Sequence, residues 1–216
     1  MPPDPERSAR SGRGWHQNLG VAVTGFLALD QSKSCTGWAS WCEGMDKPIY
    51  GSVCLGTSYT SDGKTFTKLR SVIIDQYTVQ PFDFLFYEEP IAQKKHVNVS
   101  EAAALMLVGL RATIVGVGHE LRCRMVEAIK EREWRETFCG RDESGAIRRE
   151  ARRAKRSATD PLKAAAMERC RQLGFKPQND NEGDALGILT HGILAKGYNP
   201  PWIANEVLRP MLGADT

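Results

Sequence analysis

Residues 21–42 read VAVTGFLALDQSKSCTGWASWC: an apolar run ending on an acid, a short polar turn, and a second run that opens on Thr36-Gly37-Trp38. Val21 to Asp30 has the unbroken apolarity of a buried strand. Thr36 to Cys42 and Pro48 to Leu55 give two more, with Asp46-Lys47 near the turn between them, so the stretch is a three-strand meander. Downstream the period changes. Phe66, Leu69, Val72, Ile73 and Tyr77 recur at helical spacing across Lys64 to Tyr77, and Phe82 to Glu88 is again a strand, entered after Pro81. Asn98 and Glu101 have the form of a capping box ahead of a helix over Ala102 to Val117. Leu121 to Ile129 fits a fifth strand. Asp160 to Leu173 reads as a helix closed by Gly174, and Asn181 to Lys196 as another, ended by Gly197 with Pro200-Pro201 behind it. A meander followed by alternating helices and strands indicates an α/β protein, a mixed sheet covered by helices on both faces.

Outside this core, residues 1–19 are rich in Pro, Gly, Ser and Arg and read as a disordered basic tail. A single domain over 20–204 and a C-terminal tail over 205–216 are expected. The chain has 216 residues, 41% of them apolar, which suits one core better than two. The net charge of +3 is small but unevenly placed: Leu121 to Lys176 holds sixteen Lys/Arg against nine Asp/Glu. That concentration suits a polyanionic partner. The six cysteines show no C-x-x-C or Cys/His ligand spacing, which argues against zinc and against a disulfide framework. Reduced thiols and a cytoplasmic setting are expected. The N-terminus lacks the apolar segment of a secretory signal. Ala102 to Gly118 is broken by Arg111 and falls short of a membrane span, so no membrane partner is expected.

Three acids break apolar elements at their ends. Asp30 closes the first strand, Glu88 closes the fourth, and Asp184 lies in the first turns of an otherwise apolar helix. Ligands gather at the carboxyl ends of strands in open sheets, and an acid on a covering helix would complete the cluster. An oxygen-only set selects hard cations such as Mg²⁺ or Mn²⁺. The plain alternative is that a strand-terminal Asp forms a turn, and that Asn179 to Glu182 only caps a helix. Strand alternation does not choose between Glu88 and Glu89, because both faces of Phe84 to Glu89 are apolar.

The surrounding residues resemble a known family. Leu29-Asp30-Gln31-Ser32 with Cys35-Thr36-Gly37-Trp38-Ala39 looks like the first motif of RuvC-type Holliday junction resolvases, of the RNase H-like superfamily. Phe86-Tyr87-Glu88-Glu89-Pro90 is similar to the second motif. Glu127 to Gly140 (with Trp134, Arg135 and Phe138) resembles the segment leading into the DNA-binding region, and Asp180 to Leu194 resembles the final helical motif. The resemblance implies a five-stranded sheet of order 3-2-1-4-5 with strand 2 antiparallel, and a homodimer. It also implies paired symmetric incisions across a four-way DNA junction in a bacterial or phage-infected cell. The chemistry would be hydrolysis by two metal ions about 3.5–4 Å apart, and the motif match selects Glu88 over Glu89. One position departs from the family: three residues before Asp184, where bacterial members carry an acid, stands Asn181. Asp180, about 40° round a helix from Asp184, would share its face and is the expected substitute; Glu182, roughly 200° away, would not.

The expected metal ligands and catalytic acids are therefore Asp30, Glu88, Asp180 and Asp184. Arg135 falls where the family places a basic residue beside the scissile phosphate. Further DNA contacts are expected from Lys94, Lys95, Arg148, Arg149, Arg152, Arg153 and Lys155. A solvated helix face is the ordinary fate of such charge runs, but this one is one-signed and lies between the fifth strand and Asp184. Trp134 is expected to pack in the core, and His191, two turns beyond Asp184, to be a structural histidine. Two other readings keep the fold: a flap nuclease or RNase H-type ribonuclease, and a silent junction-binding protein for which Asn181 speaks. An actin-like ATPase would need Gly-rich phosphate loops, and the chain has none.

Overall fold

The computed structural model describes residues 23–90 and 100–207. The expected tail over 1–19, together with Lys94 and Lys95, lies outside the described residues, as does most of the expected tail over 205–216.

Strands β1 (Gly25–Asp30), β2 (Thr36–Cys42) and β3 (Ile49–Val53) form the meander. After helix α1 (Asp62–Val79), strand β4 (Phe84–Glu88) returns beside β1, and after α2 (Glu101–Glu120), β5 (Met125–Ile129) extends the sheet. The order is β3-β2-β1-β4-β5. β2 runs antiparallel to β1 and β3, whereas β4 is parallel to β1 and β5. Four further helices come from α3 (Glu131–Phe138), α4 (Arg141–Arg153), α5 (Thr159–Gln172) and α6 (Asp180–Ala195), and α7 (Pro201–Val207) runs through the expected domain end at 204.

Alternation along the two central strands builds two cores. Leu27, Leu29, Leu85 and Tyr87 face α1 and α2, burying against Leu69, Ile73, Leu110 and Ile114. Phe26, Ala28, Phe84 and Phe86 face the other way, onto Ala185, Leu186, Ile188 and Leu189 of α6, with Trp134 and Phe138 of α3 in the same cluster. Parity, silent in the sequence, thus has a definite answer once the helices are placed. The six cysteines are unpaired in this structure.

Several boundaries move. The N-cap of α2 is Ser100, whose side chain accepts from Ala103 N, rather than Asn98, which lies outside the described residues. β5 starts at Met125 instead of Leu121, because Leu121 closes α2 and Arg122 turns with φ 58°. At twenty residues α2 is also longer than expected and, by length and composition, sufficient to cross a membrane. One stripe of it, Met106, Leu110, Ile114 and Val117, is buried in the core of this fold.

Helix α6 lies directly on β1 and β2, and one glycine permits it. A Cβ on Gly37 would sit 2.0 Å from the carbonyl oxygen of Asn181 and 2.4 Å from its carbon. Both are backbone atoms, so no side chain can rotate aside. Gly37 of the Thr-Gly-Trp motif is therefore what lets the start of α6 reach Asp30, with which Gly37 pairs across the β1–β2 ladder. We expect Gly37→Ala to cost about 2 kcal/mol through overpacking, a fall in Tm of about 4–8 °C for a chain of this size. An unchanged melt would show that α6 does not rest on this residue.

Candidate active site

In the parallel β1–β4 register Leu29 pairs with Tyr87, so the residues that follow, Asp30 and Glu88, end neighbouring strands side by side. Each continues the alternation of Phe26/Ala28 and Phe84/Phe86 and so points to the α6 face. Asp184, 4% exposed, approaches from the second turn of α6. That helix starts at N-cap Asn179, whose side chain accepts from Glu182 N at 3.0 Å. Glu182 is locked away from the acids. It accepts from Ser52 Oγ on β3 at 2.8 Å and from Gln178 N at 2.7 Å, and so anchors the helix start to the sheet.

The three acids feel one another. Burial holds the Asp30 carboxyl well above the ordinary carboxylate range, and the charges of Glu88 and Asp184 raise it further. Burial lifts Glu88 to about 7, with the Trp134 hydrogen bond opposing and Asp184 adding to the rise. Asp184 is raised to about 6, again chiefly by burial, against the attraction of Arg135 and Lys163. Raised carboxyls grouped at the strand ends of one sheet mark a functional-site candidate.

Asp180 stands apart from this trio. Its carboxylate pairs with Lys163 of α5, which lowers its pKa, and only Asp184 registers its charge among the three acids. The expectation that Asp180 fills the fourth place therefore meets an acid already engaged by a lysine. Lys163 also bears on Asp184 and Asp30, which makes it a cation at this end of the sheet that the sequence did not single out.

Arg135 is not at the surface. Its side chain is 2% exposed; Nε donates to Glu131 Oε1 at 3.0 Å, Nη1 to the Leu162 carbonyl at 3.0 Å and Nη2 to Asp184 Oδ2 at 3.0 Å. The expected contact with a scissile phosphate does not fit this position, because the guanidinium is committed inward. Trp134 is buried as expected, yet not only as packing: its Nε1 donates to Glu88 Oε1 at 3.2 Å. A signal for the burial of Arg135 was present. Glu131, Arg135 and Phe138 share one face of a short helix, and the i,i+4 acid–base pair beside Phe138 puts Arg135 on the buried side.

Of the remaining expected DNA contacts, Arg149, Arg152, Arg153 and Lys155 are exposed on or just after α4. Arg148 is half-buried, with Nε and Nη2 both buried and without a hydrogen-bond partner. Helix α4 is tied to α3 by buried Ser144, whose Oγ donates to the Arg135 carbonyl at 3.1 Å. His191 touches none of the acids; its Nδ1 lies 2.8 Å from Thr137 Oγ1.

Among the described residues, no three His, Cys, Asp or Glu side chains are gathered closely enough to hold a metal ion as placed. The donor chemistry nevertheless suits one. The acids offer only oxygen, Asp184 Oδ1 is buried without a hydrogen-bond partner, and so is Gln31 Oε1 next to Asp30. Gln31 is fixed there by its amide, which donates to the Glu88 carbonyl at 2.6 Å. Buried oxygens without donors are what a hard divalent cation satisfies.

No protein-family model and no curated protein sequence matches this chain. Solved structures do. A Thermus thermophilus RuvC in complex with a Holliday junction substrate superposes with a TM-score of 0.56 at 12% identity, over 81% of this chain and 96% of that one. A second Thermus thermophilus RuvC structure gives 0.54, also at 12% identity, over 81% and 97%. At that identity the likeness establishes the fold, which is the RNase H-like fold of RuvC.

Proposed function

We propose that this chain is a divalent-metal-dependent endonuclease that hydrolyses phosphodiester bonds in branched DNA, the four-way junction foremost. The observation that carries the reading is the trio Asp30, Glu88 and Asp184, grouped at the carboxyl ends of β1 and β4 in a fold shared with a junction-bound RuvC. These three acids would hold Mg²⁺ or Mn²⁺, as one ion or the expected two, drawn onto them on binding. An ion bound there would lower the pKa of a water and offset the negative charge that develops in phosphoryl transfer. The chain's own residues do the rest. Burial excludes bulk water, Trp134 and Arg135 orient two of the acids, and Lys163 brings a positive charge to the end of the sheet where the phosphate would lie.

The test compares cleavage of a four-way junction, a flap and an RNA–DNA hybrid, each with and without Mg²⁺. Paired incisions confined to the junction support the reading. Preference for the flap or the hybrid would keep the chemistry and change the substrate. Junction binding with no Mg²⁺-dependent cleavage would overturn the enzyme and leave a junction-binding protein.

The basic helix supplies the grip in this proposal. If Arg148, Arg149, Arg152 and Arg153 meet phosphates, changing all four to Ala weakens junction binding and flattens its salt dependence by about 0.9 in log–log slope per lost contact. Folding changes little at the exposed positions. Titrations at three salt concentrations read the slope, and parallel lines with equal intercepts would leave these arginines as solvated surface.

Symmetric cleavage needs two sites, and α2 offers a face for a second copy. Leu105 and Val108 are 62% and 58% exposed, on the side away from the buried stripe. A homodimer would cover them. Sedimentation of Leu105→Glu/Val108→Glu is expected to show monomer where wild type shows dimer; equal masses would place the interface elsewhere.

A further inference from the structure

The indole of Trp134 and the guanidinium of Arg135 are consecutive side chains on α3, and each holds a different acid of the trio. Trp134 Nε1 donates to Glu88 Oε1 at 3.2 Å, and Arg135 Nη2 to Asp184 Oδ2 at 3.0 Å. They also hold each other, the guanidinium lying 4.1 Å from the centre of the indole ring. Neither is free to turn. Trp134 is fully buried against α6, where Gly187 makes room for it: a Cβ there would meet indole Cε3 and Cζ3 at 2.6 Å. Arg135 is fixed at its other nitrogens by Glu131 and the Leu162 carbonyl. Buried donors this fully committed are expensive to desolvate and are expected to set a geometry.

We infer that Trp134 and Arg135 are positioning residues for metal, a clamp that occupies one oxygen of Glu88 and one of Asp184 and thereby presents the other oxygen of each to the cation. For Asp184 the consequence is visible, since Oδ2 is taken and Oδ1 is buried without a partner. Hydrogen bonds that orient ligating carboxylates commonly govern metal affinity by about 10–100-fold. The clamp also couples the two acids. They come from different elements, β4 and α6, yet their orientation is set by one helix, so a shift of α3 moves both ligands together.

This inference rests on the metal-dependent reading above, and its test separates the two. Mn²⁺ binding to the full chain is measured by titration followed by the paramagnetic signal of the free ion. The proteins are wild type, Trp134→Phe, Arg135→Lys, Glu88→Gln and the double variant Trp134→Phe/Glu88→Gln. Trp134→Phe keeps a ring and removes the donor. Arg135→Lys keeps the charge, so any change reports the lost fork rather than lost attraction. The expected result is a loss of Mn²⁺ affinity of about tenfold or more in each. In the Glu88→Gln background the Trp134→Phe effect should shrink, because the indole can still bond the amide oxygen but the anionic ligand that it orients is gone. A purely structural role would lower thermal stability in these variants and leave Mn²⁺ affinity within about twofold, which overturns the clamp while leaving the metal site standing. A Trp134→Phe effect undiminished in the Glu88→Gln background also overturns it. Wild type that binds no Mn²⁺ removes the metal reading and the clamp with it.

Discussion

Asp30→Asn and Glu88→Gln are each expected to reduce junction cleavage by about a thousandfold or more while junction affinity stays within about threefold. The rate figure follows from removing one anionic ligand of the proposed site, where a metal would stabilise the transition state by several kcal/mol, each 1.4 of which is tenfold. The affinity figure follows because duplex affinity comes from phosphate contacts made elsewhere. Both substitutions are near-isosteric, and the amide of Glu88→Gln still offers an oxygen to Trp134 Nε1. Single-turnover cleavage and fluorescence anisotropy read the two quantities, and near-normal cleavage by either protein would sink the assignment. A second signature travels with the first. Because each of these acids is raised by burial and by its like-charged neighbours, neutralising one relieves repulsion in the metal-free chain. Asp30→Asn is therefore expected to melt slightly above wild type at pH 8 without metal. Glu182→Gln should do the opposite, since that buried acid accepts from Ser52 and the Gln178 amide and holds the α6 start. Acids that stabilise the fold and acids that strain it are told apart by the sign of this change.

The difference between Glu182 and Asp184 also shows what the sequence made legible. Residues 180–184 were readable as a helix start, because capping chemistry is local and follows spacing; of the two acids expected there to face the site, Asp184 does and Asp180 pairs with Lys163 instead. The strand order was implied by the resemblance that the four motifs carry together, and Gly37 within the first of them has a steric role of its own, since a Cβ there would meet the Asn181 backbone where α6 starts. What stayed hidden depends on partners distant in sequence. Arg135 was placed beside a phosphate by the resemblance; its pairing with Glu131 one turn back marked it as turned inward, but its buried partner Asp184, 49 residues away, left no local trace. Lys163 was not singled out at all, yet it reaches Asp180 across the α5–α6 contact. Trp134 was legible as core and illegible as a donor to Glu88, 46 residues earlier. Likewise, strand alternation could not choose Glu88 over Glu89, a choice that only the motif match made, since parity has no meaning until one face carries the covering helix.

The same arrangement sets how stability depends on pH and metal, and the effect is expected to be large. Glu88 moves from 4.5 in the unfolded chain to about 7 in the fold, and Asp184 from 3.8 to about 6. A carboxyl whose folded pKa is raised favours the native state most when protonated. Its contribution is therefore complete below about pH 4 and is lost as pH rises through 6 and 7. A shift of this size corresponds to roughly 3 kcal/mol, shared among acids that titrate as one set. For a chain of this length that amounts to a fall in Tm of about 6–12 °C between pH 5 and pH 8 without metal, beyond whatever the other groups contribute. A divalent cation competes with those protons and replaces their neutralising role. Millimolar Mg²⁺ should accordingly raise Tm strongly at pH 8 and hardly at all at pH 5, and the gap between the two pH values should narrow when it is present. Differential scanning fluorimetry at both values, with Mg²⁺ or with chelator, reads this directly. The Asp30→Asn protein serves as the internal control: with one member of the set neutralised, its pH slope and its response to Mg²⁺ both shrink. Equal Mg²⁺ effects at the two pH values would mean that the ion binds somewhere other than these carboxyls, and the absence of any effect at pH 8 would leave the trio as a strained but metal-free cluster.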